Sequence, residues 1–425
     1  MMKTDILIVG CGVAGLYCAL NLPKDKSIVI ITKSDACKSD SFLAQGGICV
    51  LRDENDYASF YEDTMKAGHY ENNPEAVDIM IQDSRKVISE LEAYGVRFEK
   101  NGEDFNYTRE GAHSKPRILF HEDETGKEIT SHLLETVRMR DNIMLIENYT
   151  MVDLICKDNE CYGIIGHDTE GKYSAIRADY TVLATGGIGG LFKHSTNYRH
   201  LTGDALALAL KYGIKLQHID YIQIHPTSLY TKKQGRKFLI SESVRGEGAI
   251  LLNSKRERFV NELLPRDVVA NAIYNEMKKE ESEYVMLSFA PIPKDEIKNH
   301  FPHIFQHCLD EGYDVTKEPI PVVPSQHYFM GGIDVDRYSK TSMDRLYAAG
   351  ETACNGVHGR NRLASNSLLE SLVFAKRAAK HIIAGYTKST YCDAIVVDES
   401  RYINYEKEYA NAVLAAIEKE RQNHE

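Results

Sequence analysis

The chain has 425 residues, 43% of them hydrophobic and 27% charged, which suits a globular protein of two or three domains. Its net charge of -11 argues against nucleic acid or an anionic membrane as the main partner. Nine cysteines, without a C-x-x-C pair, make neither a zinc pattern nor a disulfide framework and point to a reducing cytosol.

Thr4 to Gly15 reads TDILIVGCGVAG. The apolar run Ile6 to Val9 predicts a buried parallel strand. Gly10-Cys11-Gly12-Val13-Ala14-Gly15 then matches G-x-G-x-x-G and opens an apolar helix to about Leu22. In that motif the first glycine permits a tight turn, the second lets backbone approach a pyrophosphate, and the third lets helix pack on strand. The helix N-terminus offers free N–H groups and a positive dipole end to phosphate. A glycine turn without a ligand is the bland alternative. The strand–turn–helix reading also explains Met1 to Leu22 better than a signal or membrane segment does.

Ser27 to Thr32 predicts the second parallel strand. Thr32-Lys33 stand where a dinucleotide fold usually places Asp or Glu for the ribose, which weakens a plain NAD reading. Within the irregular stretch Ser39 to Ile48, Gln45-Gly46-Gly47 would let backbone lie flat against a planar ring, or be a surface turn. Asn73-Pro74 marks a helix start, with the helix running to Tyr94 and stopping at Gly95. Tyr107 to Gly126 is polar, rich in charge and histidine, and reads as loop or ligand-facing surface rather than core.

Apolar runs at Ile143 to Ile155 and Cys161 to Ala178, with a turn at Asp168 to Gly171, suggest an antiparallel hairpin or meander. Tyr180 to Ala184 is again a buried strand, ending in Thr185-Gly186-Gly187-Ile188-Gly189-Gly190. That second strand-to-glycine junction implies a return to the same nucleotide. Gly203-Asp204 introduces a short helix, Leu206 to Tyr212. From about Asp220 to Pro324 prolines and isolated charges increase, and Arg266 opens a helix to Glu280. This stretch reads as an inserted domain with Pro319 to Pro324 as its exit linker. A short strand, Leu346 to Ala349, precedes Gly350-Glu351. A helix follows from Ser365 to Ala384, and a charged amphipathic helix from Asp398.

Three segments concentrate polar and cationic groups: Gln223 to Thr227 with Ser241 to Gly248, Leu264 to Asp267, and His327 with Arg360 to Ser367. Arginine's planar fork matches a carboxylate and histidine adds a donor, so together they would suit a small dicarboxylate. Separately, Arg266 could pair with Asp267 or Glu262, His225 could be a satisfied polar residue, and Arg362 an ordinary loop arginine. Spacing alone leaves a nucleotide enzyme with an anion site.

The segments AQGGI, ATGGIGGLF, HPTSLY, SESVRGEGAIL, LPRDVVA, AAGE and RLASNSLLESLVFA stand in the order typical of the succinate dehydrogenase/fumarate reductase flavoprotein superfamily. Within that superfamily the chain, from Thr4 to about Gly385, resembles the L-aspartate oxidase family. The resemblance implies an α/β fold: a dinucleotide-binding FAD domain from residues 1–220 and 331–395, an inserted α+β capping domain at 221–330, and a helical tail at 396–425. It implies FAD held by Gly10, Gly12, Val13, Ala14, Gly15, Thr32, Lys33, Ser41, Ala44, Gln45, Gly46 and Gly47. The set continues with Ala184, Thr185, Gly186, Gly187, Asp204, Glu351, Ser365, Ser367 and Leu368. Respiratory relatives carry a histidine that holds FAD covalently; Asp40 aligns there, so FAD is expected to be non-covalent.

The stretch Thr108 to Ser114, TREGAHS, is similar to the oxidases' TREGGHS, whose glutamate lies near the substrate amino group; Glu110 is the matching position. A buried carboxylate there favours a ligand with an ammonium and penalises one without. The implied reaction is oxidation of L-aspartate to iminoaspartate, the first step of NAD synthesis, in the cytoplasm. Arg266 would transfer the proton, His225 and Ser241 would hold one carboxylate, and His327 and Arg362 the other. Oxygen or fumarate would reoxidise the flavin, and quinolinate synthase would take the product. The same core also fits a soluble fumarate reductase or succinate-oxidising flavoprotein, or a catalytically idle FAD-binding protein. A nucleic-acid-modifying flavoenzyme is disfavoured by charge. Two departures stand out. TGDG is Thr202-Gly203-Asp204-Ala205 here, and family members commonly continue for about another hundred residues in a helical domain where only the tail from Asp398 remains.

Overall fold

The structure, a computed structural model, describes residues 2–391 and 393–424. Among them, seven strands form the principal sheet. β1 (Met2–Val9), β2 (Ile28–Ile31), β3 (Ile143–Ile146), β4 (Thr150–Lys157), β5 (Glu160–His167) and β6 (Tyr173–Leu183) stand in the order β3-β2-β1-β6-β5-β4. The strand Leu346–Ala348 joins β6 near its C-terminal end. Pairings from β3 across to β6 are parallel, as is that of Leu346–Ala348, whereas β4, β5 and β6 form an antiparallel meander. The run Ile143 to Ile155 is therefore two strands rather than one. Asn148, at φ 59, breaks it, and β3 extends the parallel sheet instead of joining the meander.

Both faces of this sheet are covered, which is why its parallel strands are apolar without alternation. Ile6 and Ile8 enter one core, with helices Val13–Leu20, Pro74–Ala93, Thr125–Arg138 and Asn366–Ala384. Leu7 and Val9 enter the other, with helix Asp204–Tyr212 and the C-terminal helix Tyr405–His424. Asn73 caps its helix by accepting from the Glu75 and Ala76 N–H groups, with Pro74 at the first helical position. The tail helix buries Tyr405, Tyr409, Val413 and Ile417, spaced by one helical turn, and the Tyr409 hydroxyl donates to the Val152 carbonyl at 2.6 Å.

A second, antiparallel sheet stands over the same cleft: β7 (Ile222–Leu229), β8 (Ile250–Leu252), β9 (Val285–Ser288) and β10 (Ile320–Phe329), in the order β7-β10-β9-β8. It has its own core with helix Arg266–Glu280, including Leu251, Val269, Ile273 and Val322. Pro319 to Pro324 is consequently not a linker, because Ile320 onward is a buried strand paired on both sides. Pro324 falls where β7 and β10 shift register, between the pairs His225–Ser325 and Ser228–Val323, so the missing donor there interrupts no regular ladder. Tyr107 to Gly126 is largely loop and turns Glu110 to the cleft, but the expectation that it lies outside the core needs correction. Arg117 there is 0% exposed, paired with Asp56 at 3.0 Å and Asp63 at 2.5 Å, while Glu110 and His113 are buried too. Among the described residues no helix is long and apolar enough to cross a membrane.

Candidate active site

A cleft runs from the C-terminal ends of β1 and β2 to the underside of the second sheet. Gly10 stands at φ 113, and a Cβ there would lie 2.0 Å from the Ala184 carbonyl oxygen. The two strand-to-glycine junctions thus meet backbone to backbone. Helix Val13–Leu20 begins at Gly12 with no cap from that residue, although the Val13 N–H reaches the Ser41 hydroxyl at 3.1 Å. Gly15 and Gly187 do not line the cleft. A Cβ on Gly15 would meet the Gly10 carbonyl at 2.0 Å, and one on Gly187 would meet Glu351, so both keep close packing behind the wall. The other nineteen residues assigned to FAD from the sequence all face the cleft.

These residues fit a dinucleotide with a planar ring. The helix start is bare glycine, Gly46-Gly47 leave the wall open, and the buried Gln45 Oε1 has no protein partner. At the far end Lys33 Nζ donates to Asp204 Oδ2 at 2.8 Å and to Thr202 Oγ1 at 2.9 Å. The end of β2, which carries no carboxylate of its own, thus has Asp204, 171 positions along the chain, held beside it. Asp40 Oδ1 accepts from the Tyr198 N–H at 2.9 Å, and Glu351 accepts from the Phe329 N–H at 2.9 Å. Burial pushes Asp40 up to about 7 and Glu351 up to about 8, Asp40 adding to the latter. Replacing Gly10 by Ala should give a protein that purifies without yellow colour, measured as loss of flavin absorbance per chain.

Arg266, His225, Ser241, His327, Arg362 and Glu110 face one end of this cleft. Arg266 opens its helix and reaches back with Nε to Glu242 Oε2 at 2.5 Å and with Nη1 to Gln223 Oε1 at 2.8 Å. Arg245 lies 3.6 Å from the same carboxylate. Burial favours a neutral Glu242, but the Arg266 and Arg245 guanidiniums outweigh it and hold its pKa below the usual range. His225 Nδ1 accepts from the Thr227 N–H at 3.2 Å, which fixes the proton on Nε2; that atom is buried and without a protein partner. Burial and the surrounding guanidiniums keep His225 and His327 neutral. His225 is therefore a neutral donor. His327 is held through Nδ1 by Thr196 at 2.8 Å. Arg362 lies 4.3 Å from the Tyr328 ring centroid, donates to Ser367 at 2.5 Å, and has a buried Nε without a partner. Burial lowers it only to about 10, so it stays cationic. Ser241 uses its oxygen to cap the short helix Glu242–Gly246, accepting from the Ser243 N–H at 3.2 Å.

Glu110 is held by two hydroxyls, Ser243 at 3.0 Å and Ser365 at 2.6 Å. Burial raises its pKa, Glu242 adds to the rise, and Arg266 opposes it. Its loop is bolted from behind. His113 accepts from Arg117 Nη1 at Nδ1, 3.1 Å, which leaves Nε2–H for the Ala364 carbonyl at 3.0 Å. Ala112, where the related motif has glycine, sits at φ 65. Ala112→Gly should stabilise the protein by about 0.5–1 kcal/mol, read from the urea midpoint. Sequence reasoning assigned no role to Glu242, Gln223, Arg245, Ser243, Thr196 or Tyr328. Glu242 and Arg245 stood inside a quoted motif; Thr196 carried no signal.

The fold and cleft define an FAD-dependent oxidoreductase of the fumarate reductase type. A profile described as an FAD binding domain matches residues 5–368. An E. coli quinol fumarate reductase chain superposes with a TM-score of 0.85 at 28% identity, covering 99% of this chain and 74% of that one. An L-aspartate oxidase from Clostridium perfringens is 52% identical across 89% of this chain and 86% of its own. One from Nostoc is 40% identical across 97% and 73%. The chain belongs to the L-aspartate oxidase family.

Proposed function

We propose that this protein oxidises L-aspartate to iminoaspartate with non-covalent FAD, opening NAD biosynthesis. The observation that carries this is the charge balance around one pocket. Two buried guanidiniums that line it, Arg266 and Arg362, and a third, Arg245, behind Glu242, stand with the carboxylates Glu242 and Glu110. A ligand with two carboxylates and one ammonium makes that set neutral, whereas succinate leaves one negative charge over.

In this reading His225 Nε2–H and Arg362 Nε, donors without protein partners, take the substrate carboxylates, with His327 and the N–H groups near Ser241 completing the two ends. Glu110 takes the ammonium. Fixing both ends orients the α-hydrogen and converts binding into rate. FAD bound in the cleft would accept the two electrons and hydrogen leaving the α-carbon. Arg266 gives its Nε proton to Glu242 along their 2.5 Å hydrogen bond as its guanidinium takes up the amino proton, so that it stays cationic overall, with Arg245 behind. Residues 1–220 and 331–395 hold FAD, 221–330 form the cap that excludes water from the hydrolysable imine, and 396–425 form the helical tail. Oxygen or fumarate takes the electrons, and quinolinate synthase takes the product in the cytosol.

The test is anaerobic flavin reduction, with L-aspartate and succinate added separately to the yellow protein. Loss of oxidised flavin absorbance with aspartate alone is the expected result. Bleaching by succinate alone would make the protein a succinate-oxidising flavoprotein, and bleaching by dithionite only would make it an idle FAD binder. Admitting oxygen or fumarate then identifies the acceptor.

A further inference from the structure

Outside the cleft, two cysteines face each other across the β4–β5 hairpin. Cys156 and Cys161 are direct cross-strand partners, one step outside the pair Lys157 and Glu160 that closes the turn. The turn residues Asp158 and Asn159 stand at φ 51 and φ 60, which defines a two-residue hairpin with both central residues left-handed. In such a hairpin the closing pair exchanges hydrogen bonds, and the next pair does not. The Cys161 N–H accordingly points outward, to the Asp344 carbonyl at 3.0 Å. A non-hydrogen-bonded pair brings its Cα atoms to about 4.5 Å, inside the span of about 4.4–6.8 Å that a disulfide bridges without moving backbone. Both side chains pack into the same core, Cys161 fully buried and Cys156 partly exposed, and both are free thiols.

We infer that Cys156 and Cys161 form a modification site, a dithiol that hydrogen peroxide converts to a disulfide across the hairpin. Cys156, the accessible member, meets the oxidant. Its sulfur forms an S–O bond as the O–O bond breaks, leaving a sulfenic acid and releasing water. The Cys161 sulfur then displaces the hydroxyl as a second water, and the S–S bond forms. Two thiols give up two electrons and two protons, and one peroxide becomes two waters. Contact with Cys156 lowers the Cys161 thiol pKa against the effect of burial, which suits its part as the second nucleophile. Contact with Cys161, then burial, raises Cys156, so the first step is slow. Peroxide is the product wherever oxygen takes electrons from a reduced flavin, but the inference needs only the oxidant.

The experiment treats the FAD-loaded protein with millimolar hydrogen peroxide, blocks remaining thiols, and digests with trypsin without reductant. Cleavage after Lys157 separates the two cysteines into peptides 141–157 and 158–172. The expected result is a joined species, lighter than the two peptides together by two hydrogens and split by dithiothreitol. Cys161→Ser should abolish the joined species and let Cys156 proceed to sulfinic acid. Peptides recovered unjoined with blocked thiols would overturn the inference, as would wild-type Cys156 recovered as sulfinic or sulfonic acid. Because peroxide is added directly, the result is independent of which substrate reduces the flavin.

Discussion

Glu110→Gln is expected to lower kcat/KM for L-aspartate by about 100-fold or more, since leaving a buried charge unpaired costs about 3 kcal/mol. Succinate binding should improve or stay level, because the variant removes a buried carboxylate facing a ligand that has no ammonium. The amide keeps the size of the acid, its oxygen accepting from one of the Ser243 and Ser365 hydroxyls and its NH₂ donating to the other, so the effect comes from charge rather than packing. Steady-state kinetics with aspartate and competition by succinate measure both halves. Unchanged aspartate turnover would remove Glu110 from substrate recognition.

The same residue sets a pH dependence whose sign follows from its surroundings. Burial and the Glu242 charge raise the Glu110 pKa, so the carboxyl stays neutral above the ordinary glutamate range. Aspartate needs it ionised. In the wild type kcat/KM should therefore rise with pH as Glu110 loses its proton and then level off, and Glu110→Gln should abolish that limb. Ser365→Ala, which removes the shorter of its two hydrogen bonds, should shift the limb to higher pH.

Much of the architecture was legible because parallel strands covered on both faces are apolar runs, as at Ile6 to Val9 and Ile28 to Ile31. The helix start with a physical signature, Asn73-Pro74, was legible too, as was the helix from Arg266. Two kinds of feature were not. Pro319 to Pro324 looks like a linker because proline lacks a donor, and the sequence carries no mark of the register shift at Pro324 or of the strands paired on either side. Arg117 with Asp56 and Asp63 has the composition of a surface, and sequence carries no mark that three charges will be buried against one another. For the site, the motif SESVRGEG gives Glu242 and Glu247 equal standing as strings. Burial separates them. Glu242 lies between two guanidiniums, whereas Glu247 faces His300 at 3.1 Å beyond the cleft. Lys33 and Asp204 could not be paired by any local pattern. The resemblance collected the segments, and the geometry gave each polar atom a partner or left it free.

Arg266→Lys is the second large effect, a fall in kcat of about 10²–10⁴-fold, the usual share of positioned proton transfer. Lysine keeps the positive charge but presents no fork, so it cannot reach Glu242 and Gln223 at once as Nε and Nη1 do. Single-turnover anaerobic reduction should slow by the same factor, while FAD content and the thermal midpoint stay near wild type. If the flavin is reduced at the wild-type rate, the proton leaves by another route. Glu242→Gln keeps a hydrogen-bond acceptor for Arg266 but removes the charged base that receives the proton, and should slow flavin reduction as Arg266→Lys does. The Arg266 and Arg245 guanidiniums depress the Glu242 pKa, so its pairing is complete above the unfolded glutamate value and is lost only as pH falls through the lower folded one. Glu242 is thus ionised across the range where Glu110 titrates. The rising limb of the aspartate profile therefore belongs to Glu110 and should persist, at lower amplitude, in Arg266→Lys. Its disappearance from both variants would mean that the two residues titrate as one unit.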